Sequence, residues 1–250
     1  MTTAKSIARF DPVTTHPVEE SERHYREVHF PWAQRMLRER PQVLTYHTNR
    51  VLRQYDLRAA WNQRPTAWRF VLLTFEPGRG LELDGDTAEL IARDHPNCLR
   101  NLRSCPVEET LLLDRRCGQT SLQKYLVELD RAPGVTADEA DHRLDVLVDG
   151  LLGHLDRAFG ARLVRRNRVL GEGATVPVVE EGQRGTGELR PETDKHAYLE
   201  LYFDDTAWGD ELFARTEVRS LLRDRCFSTL ETYHVEERCG LDRRSTTGAP

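Results

Sequence analysis

The tetrapeptide NRVL occurs at Asn49–Leu52 and again at Asn167–Leu170, 118 positions apart. One such match is weak. At the same spacing, however, His24 meets His142 and Val28 meets Val146. Further along, Asp86-Thr87-Ala88 matches Asp205-Thr206-Ala207 at 119 positions, and ELIAR (89–93) matches ELFAR (211–215) at 122. That last register continues, pairing Leu99 with Leu221 and Glu109-Thr110 with Glu231-Thr232. The matches keep their order and drift only by small insertions, as expected of one unit written twice.

Each copy carries the same pattern of elements. In the first, residues 5–10 read as a strand and 17–39 as a helix. Tyr25, Val28, Trp32 and Met36 give that helix an apolar stripe at spacings of three and four, and Pro41 ends it. Residues 42–52 and 67–75 have the β-branched and aromatic content of strands. Residues 86–102 read as a second helix with a possible break at Pro96, and 107–114 as a fourth strand. The second copy gives a strand at 121–131, a helix at 136–159, strands at 161–170 and 196–203, a helix at 206–225 and a strand at 229–237.

The order is βαββαβ, twice, which is the ferredoxin-like pattern. Each unit places two helices on one face of an antiparallel sheet, so the other face needs a cover. Two such sheets packed face to face provide it and enclose a space. The expected fold is α+β: two tandem ferredoxin-like units, 1–118 and a degenerate 119–241, forming one fused, intramolecular α+β barrel with a disordered tail after them. Residues 171–195, between the second and third strands of the second copy, are too many for an ordinary connection. They read either as a lid or as a disordered loop.

Charge and composition exclude several classes. The formal net charge of −5 leaves no basic field to hold a nucleic acid. Arginine outnumbers lysine 33 to 3, which reads as the codon bias of a GC-rich, bacterial genome. No apolar run approaches the ~20 residues that cross a bilayer. MTTAKSIARFDP lacks the apolar core of a signal peptide, so the expected compartment is the cytoplasm. The five cysteines form no CxxC pair and read as reduced thiols. There is no GxGxxG after a strand, no P-loop, no HExxH and no GxSxG. His24 and His29 are five apart, not the four that would set two zinc ligands on one helical face. Neither a metal nor an organic cofactor is expected.

The copies differ where HYREVHFPWAQRM (24–36) faces HRLDVLVDGLLGH (142–154). His29 stands against Leu147 and Pro31 against Asp149. A proline there removes one helical hydrogen bond and collides with the Glu27 carbonyl, so the helix should kink or its first part end near Phe30. Tyr25 and His29 share a helix flank. In 42–52, alternation puts Tyr46 and Thr48 on one face and His47 and Asn49 on the other, and the segment leaves open which face meets the cavity. The repeated Asn49 and Asn167 read as side chains bonded to neighbouring backbone.

Histidine titrates nearest neutrality. His29, His47 and His24 are therefore the candidates for proton transfer, while His16, His95, His154 and His196 lack supporting context. Tyr198, Glu200 and Tyr202 alternate on one face of a strand, which either lines the cavity or is an exposed edge. His234 is a further candidate for the cavity wall, with Tyr233 on the opposite face.

Tyr25, His29 and Pro31 in the form Y-x-x-x-H-x-P, followed by Tyr46-x-x-Asn49, resemble the EthD-like branch of the dimeric α+β barrel superfamily. The motif covers about residues 20–52, and the likeness of fold covers about 5–240. The resemblance implies a barrel with its ligand between sheet and helices. It implies cofactor-independent enzymes that cyclise, dehydrate, decarboxylate or oxidise polyketide-like and aromatic compounds, with His29 as the acid/base. Phe30-Pro31-Trp32 departs from the pattern, in which a smaller residue commonly precedes the proline.

The expected function is a cyclase, dehydratase or isomerase of natural-product biosynthesis, acting on a small hydrophobic or aromatic metabolite. His29 moves a proton, Tyr46 or His47 steadies an oxygen, and Tyr25, Trp32, Asn49, Trp68, Tyr198, Glu200 and His234 bind substrate. The competing readings are a cofactor-free monooxygenase, a haem protein with an axial histidine and a non-catalytic binding protein. A homodimer is compatible with each.

Overall fold

Strand alternation closes the two copies on each other. The computed structural model describes residues 4–56, 61–62, 67–118, 121–158, 160–171, 173–176, 190–192 and 194–244. The first half runs β1 (Ala4–Pro12), α1 (Val18–His24), α2 (Phe30–Arg38), β2 (Val43–Asp56), the short β3 (Trp61–Asn62), β4 (Arg69–Phe75), α3 (Gly85–Asp94) and β5 (Leu99–Asp114). The second runs β6 (Gln123–Arg131), α4 (Ala137–Leu155), β7 (Ala161–Val169), β8 (Gly173–Val176), β9 (Arg190–Glu192), β10 (Lys195–Phe203), α5 (Thr206–Ala214), α6 (Thr216–Leu221) and β11 (Phe227–Asp242).

Within each half the order is fourth strand, first, third, second: β5-β1-β4-β2 and β11-β6-β10-β7. Two antiparallel seams, β2 with β11 and β7 with β5, join the halves into an eight-stranded barrel. The seams share a register. Asn49 lies opposite Glu237, and Asn167 opposite Glu109. Val107-Glu108-Glu109 is thus the counterpart of Val235-Glu236-Glu237, 128 positions on.

That register corrects the sequence alignment of the last strand. Leu99 pairs with Pro12 and Phe227 with Arg131, so Leu99 answers to Phe227 and not to Leu221. The six residues of α6 extend the second half's link and shift the register. The match of Asp86 to Asp205 fails as well. Asp84 is the residue that caps α3, accepting from the Thr87 amide, whereas Asp205 itself caps α5.

Side chains pointing inward fill most of the enclosed space, which was expected to be hollow. Ile7, Phe70, Leu72, Leu126, Tyr198 and Tyr233 belong to a belt across it. All three lysines of the chain lie inside, in ion pairs. Lys5 Nζ is 2.5 Å from both Glu109 and Glu200, and Lys124 Nζ is 2.7 Å from Glu200 and 2.5 Å from Glu237. At the other end Lys195 contacts Glu128 at 2.7 Å and also Asp130. Buried charges survive only when matched in this way. Burial raises the Glu200 pKa, but Lys124, Lys5 and Arg165 outweigh it and hold the group well below the usual carboxylate range. A void of about 350 Å³ remains at the Lys5 end, lined among others by His47, Arg165, Glu200 and Tyr202.

The helix layers differ between halves. In the second, α4 buries Ala140, Leu144, Leu147, Val148, Leu151 and Leu155, and Leu212, Phe213 and Val218 seal the same core. In the first, α3 buries nothing, and Leu90 and Val28 are 50% and 48% exposed. A groove therefore runs between α2 and α3.

Three expected boundaries move. The helix at 86–102 stops at Asp94, a 3₁₀ turn spans His95–Asn97 around Pro96, and β5 begins at Leu99. Extended backbone at Arg215 divides the helix at 206–225 into α5 and α6. The ends of 171–195 form β8, which pairs with β5, and β9, which pairs with β8, while 177–189 lie outside the described residues. Arg243, expected in the disordered tail, is held in place. It donates to the carbonyls of Arg38, Arg40, Pro41 and Val43, tying the end of β11 to the end of α2. Residues 245–250 lie outside the described residues. Among the described residues, no helix is long and apolar enough to cross a membrane.

Candidate active site

Pro31 has no N–H for the Glu27 carbonyl, yet the helix does not end. Residues Tyr25–His29 form one π-helical turn, with the Phe30 amide bonded to the Tyr25 carbonyl five residues back. The wider turn absorbs the proline. It also shifts the stripe. The buried residues are Ser21, Tyr25, His29, Phe30, Ala33 and Leu37, and Val28 points to solvent. Against α4, Ser21 and Tyr25 match Ala140 and Leu144 at 119 positions, and Ala33 and Leu37 match Leu151 and Leu155 at 118. The first half therefore carries one extra residue in this turn. The counterpart of His24 is Arg143, not His142, which is exposed.

The same turn brings His24 and His29 to one side although they are five apart. Both bond Asp94, at the end of α3: His29 Nδ1 to Oδ2 at 2.5 Å and His24 Nε2 to Oδ1 at 2.8 Å. Burial would raise the Asp94 pKa, but the bonds to His29 and His24 more than offset it, and the group stays an anion. The His95 ring lies 5.5 Å from His29. Burial first, then the positive character of His29, lower its pKa to about 4 against the pull of Asp94.

Beneath His29 the Tyr25 ring lies 4.8 Å away. The Arg69 guanidinium stacks on this floor, 3.9 Å from the Tyr25 centroid and 5.1 Å from that of Trp68, and is clamped by both oxygens of Glu22. Tyr25 Oη bonds Thr48 at 3.0 Å and Tyr46 Oη at 3.4 Å. Trp68 packs edge-on to Tyr25 at 5.7 Å. Tyr46 also rests on Gly240, where a Cβ would sit 2.5 Å from its ring.

The groove above has two connected parts. One, of about 480 Å³, is lined by Glu27, Val28, Pro31, Trp32, Arg35, Leu90, Arg93, Asp94 and Asn97. The other, of about 520 Å³, shares Trp32, Arg35 and Leu90 and continues toward Asp84.

The sequence candidates thus separate into two places. His29, His24, Tyr25, Trp32, Tyr46 and Trp68 come together between the helices and the sheet of the first half. His47, Asn49, Tyr198 and Glu200 face the barrel interior, which settles the orientation of β2: Tyr46 and Thr48 meet the helices. His47 lies 3.7 Å from Glu237, and burial, aided by Lys124, lowers its pKa against the pull of that carboxylate. Neither repeated asparagine bonds backbone through its side chain. Asn167 donates to Glu200 at 3.0 Å, while both polar atoms of Asn49 are buried without a partner among the described residues, as Leu72 stands where the second half has Glu200. His234 is not in the cavity wall. It stacks on Tyr125 at 4.9 Å, on the helix side of β11, and Tyr233 takes the interior.

Sequence reasoning missed Asp94, His95, Arg69 and Cys98. Asp94 and Cys98 had a signal: Asp224 and Cys226 precede the last strand of the other half. The false register of Leu99 hid it.

No protein-family model and no curated protein matches the chain. Solved structures do match in fold. An anthrone oxidase-like protein superposes with a TM-score of 0.59 at 11% identity, over 97% of this chain and 95% of that one. A candidate monooxygenase from Fusobacterium nucleatum gives 0.51 at 9% identity, over 95% and 94%. Another, from Lactobacillus acidophilus, gives 0.50 at 8% identity, over 97% of each. The likeness is one of fold: an α+β barrel of eight antiparallel strands with helices outside it, both halves lying in one chain.

Proposed function

We propose that this α+β barrel protein is a small-molecule enzyme that takes a proton from an acidic carbon or phenol of a flat aromatic metabolite, with His29 as the base. The observation that carries the reading is the 2.5 Å bond between His29 Nδ1 and Asp94. A carboxylate on Nδ1 fixes the tautomer and steadies the imidazolium, leaving Nε2 as the proton acceptor. Nε2 has no partner among the described residues.

Pro31, Trp32 and Leu90 offer apolar walls for a flat ring. Arg35 lines both parts of the groove and makes no ion pair among the described residues, so its guanidinium is the donor for a developing enolate oxygen. Tyr46 and His47, first assigned that task, are respectively buried behind Tyr25 and turned into the barrel. The carbanion then leads to cyclisation, loss of water or isomerisation in a biosynthetic sequence.

A second reading shares the first step. The best-superposing of the structures above is anthrone oxidase-like. In that reading the deprotonated CH₂ of an anthrone-type substrate reacts with O₂, one oxygen becoming the new carbonyl and the other leaving as water.

The test is hydrogen–deuterium exchange at the acidic carbon of anthrone-type and polyketide-like phenols in D₂O, followed by mass spectrometry, with oxygen uptake measured in parallel. His29→Ala is expected to slow exchange by about 10²–10⁴-fold. Exchange at the wild-type rate in that variant removes His29 from the chemistry. A Soret band lost on His29→Ala makes the protein a haem protein instead. Saturable binding with no exchange at any pH makes it a carrier.

A further inference from the structure

We propose that His24, Asp94 and Cys98 bind a divalent transition-metal ion, zinc by the character of the donors. A ring nitrogen of His24, a carboxylate oxygen of Asp94 and Cys98 Sγ all lie within 4.8 Å of one another. Nitrogen, oxygen and thiolate donors are the set zinc takes, at about 2.0–2.3 Å, which spaces tetrahedral ligand atoms by roughly 3.3–3.8 Å. His24 Nε2 and Asp94 Oδ1 start 2.8 Å apart. Closing on an ion thus needs side-chain shifts of about an ångström. Asp94 lines the groove, so the fourth position opens toward it.

The second half supplies an independent argument. Cys98 and Cys226 stand just before the equivalent residues Leu99 and Phe227. Asp94 and Asp224 both lie in the link ahead of the last strand, and each is bonded by the equivalent residue of the first helix. In the second half that residue is Arg143, whose Nε lies 2.9 Å from Asp224 Oδ2 and whose charge also acts on Cys226. A cation therefore stands beside the aspartate and the cysteine of that half. The first half keeps both acceptors and replaces the arginine with an imidazole, a side chain that ligates metals in its neutral form. The place that a guanidinium occupies in one half is open to an ion in the other.

Cys98 is fully buried, and burial, with Asp94, pushes its thiol pKa up against Arg69. A metal displaces that proton to solvent and moves the His24 proton to Nδ1, with no change of oxidation state. Asp94 Oδ2 stays on His29, as a ligating carboxylate is commonly held by a further hydrogen bond. The site does not depend on His29 acting as a base.

The test is titration of the chelator-treated full-length protein with cobalt(II) chloride under exclusion of oxygen. One equivalent should produce intense tetrahedral ligand-field bands and a thiolate-to-cobalt charge-transfer band, both reversed by zinc. Cys98→Ser should remove the charge-transfer band, and Cys226→Ser should leave it. His24→Arg, which copies the second half, should keep the circular dichroism and melting temperature and abolish cobalt binding. His29→Ala should weaken binding about 10-fold without changing the bands. A weak octahedral spectrum, or a charge-transfer band that survives Cys98→Ser, overturns the site. Cobalt bands with no exchange on any aromatic substrate keep the site and remove the proton-transfer reading.

Discussion

Asp94 decides what His29 can do. Without it the imidazole has no fixed tautomer. Asp94→Asn keeps the shape and loses the charge, so exchange at the substrate carbon should fall about 10²-fold or more with little change in KM. A larger change in KM than in turnover would give Asp94 a binding role only. His95 adds a stability effect whose sign follows from its pKa, about 4 when folded against an ordinary 6.5. The folded state disfavours its protonation, so its contribution is full above pH 6.5 and is lost as pH falls toward 4. The contribution is on the order of 3 kcal/mol. Urea melts from pH 7 to 4 should show a shallower loss for His95→Gln than for the wild type, and equal slopes would contradict this. At this scale Tyr25, His29 and Pro31 were legible because they lie within seven residues of one another. Asp94 was not, because only folding brings it to a histidine 65 positions away.

The π-turn is the element that sets the site. Periodicity of 3.6 gave the helix but misplaced its stripe by putting Val28 inside. A proline cannot tell a reader whether a helix will kink, end or widen. Here the extra residue in the first half, relative to α4, distinguishes the outcomes. Deleting Glu27, which is exposed, should turn Tyr25–His29 into an α-turn like that of α4. The fold should survive with a lower melting temperature, because Pro31 then meets an α-helical carbonyl without the wider turn, while the bond from His29 to Asp94 is lost and exchange falls at least about 10-fold. A deletion variant with full activity would show that the turn is incidental. The second helix region was less legible. With no buried residue, α3 offers no stripe to read.

At the scale of the molecule, duplication was legible and its consequence was not. The NRVL repeat marks the two seam strands, and the seams close the barrel. The hollow is smaller than expected, about 350 Å³ at one end, because an apolar belt and three lysines with their carboxylate partners occupy the rest. Their compact ammonium groups fit between carboxylates where a guanidinium does not. Lys124→Arg, which conserves charge, should therefore cost about 1–3 kcal/mol in denaturant melts through overpacking. A neutral result would mean that charge alone is required there.

The barrel divides the chemical groups between an interior cluster around His47 and Glu200 and a cluster around His29, whose partner Asp94 lines the groove. The most direct test follows side-chain resonances of ¹⁵N-labelled histidine during titration with an anthrone-type phenol. His29 and His24 should shift with saturation while His47 stays unchanged, and Asp94→Asn should abolish the low-field Nδ1 proton of His29. Saturable shifts at His47 with none at His29 would place the ligand inside the barrel and contradict the assignment of the groove as the site.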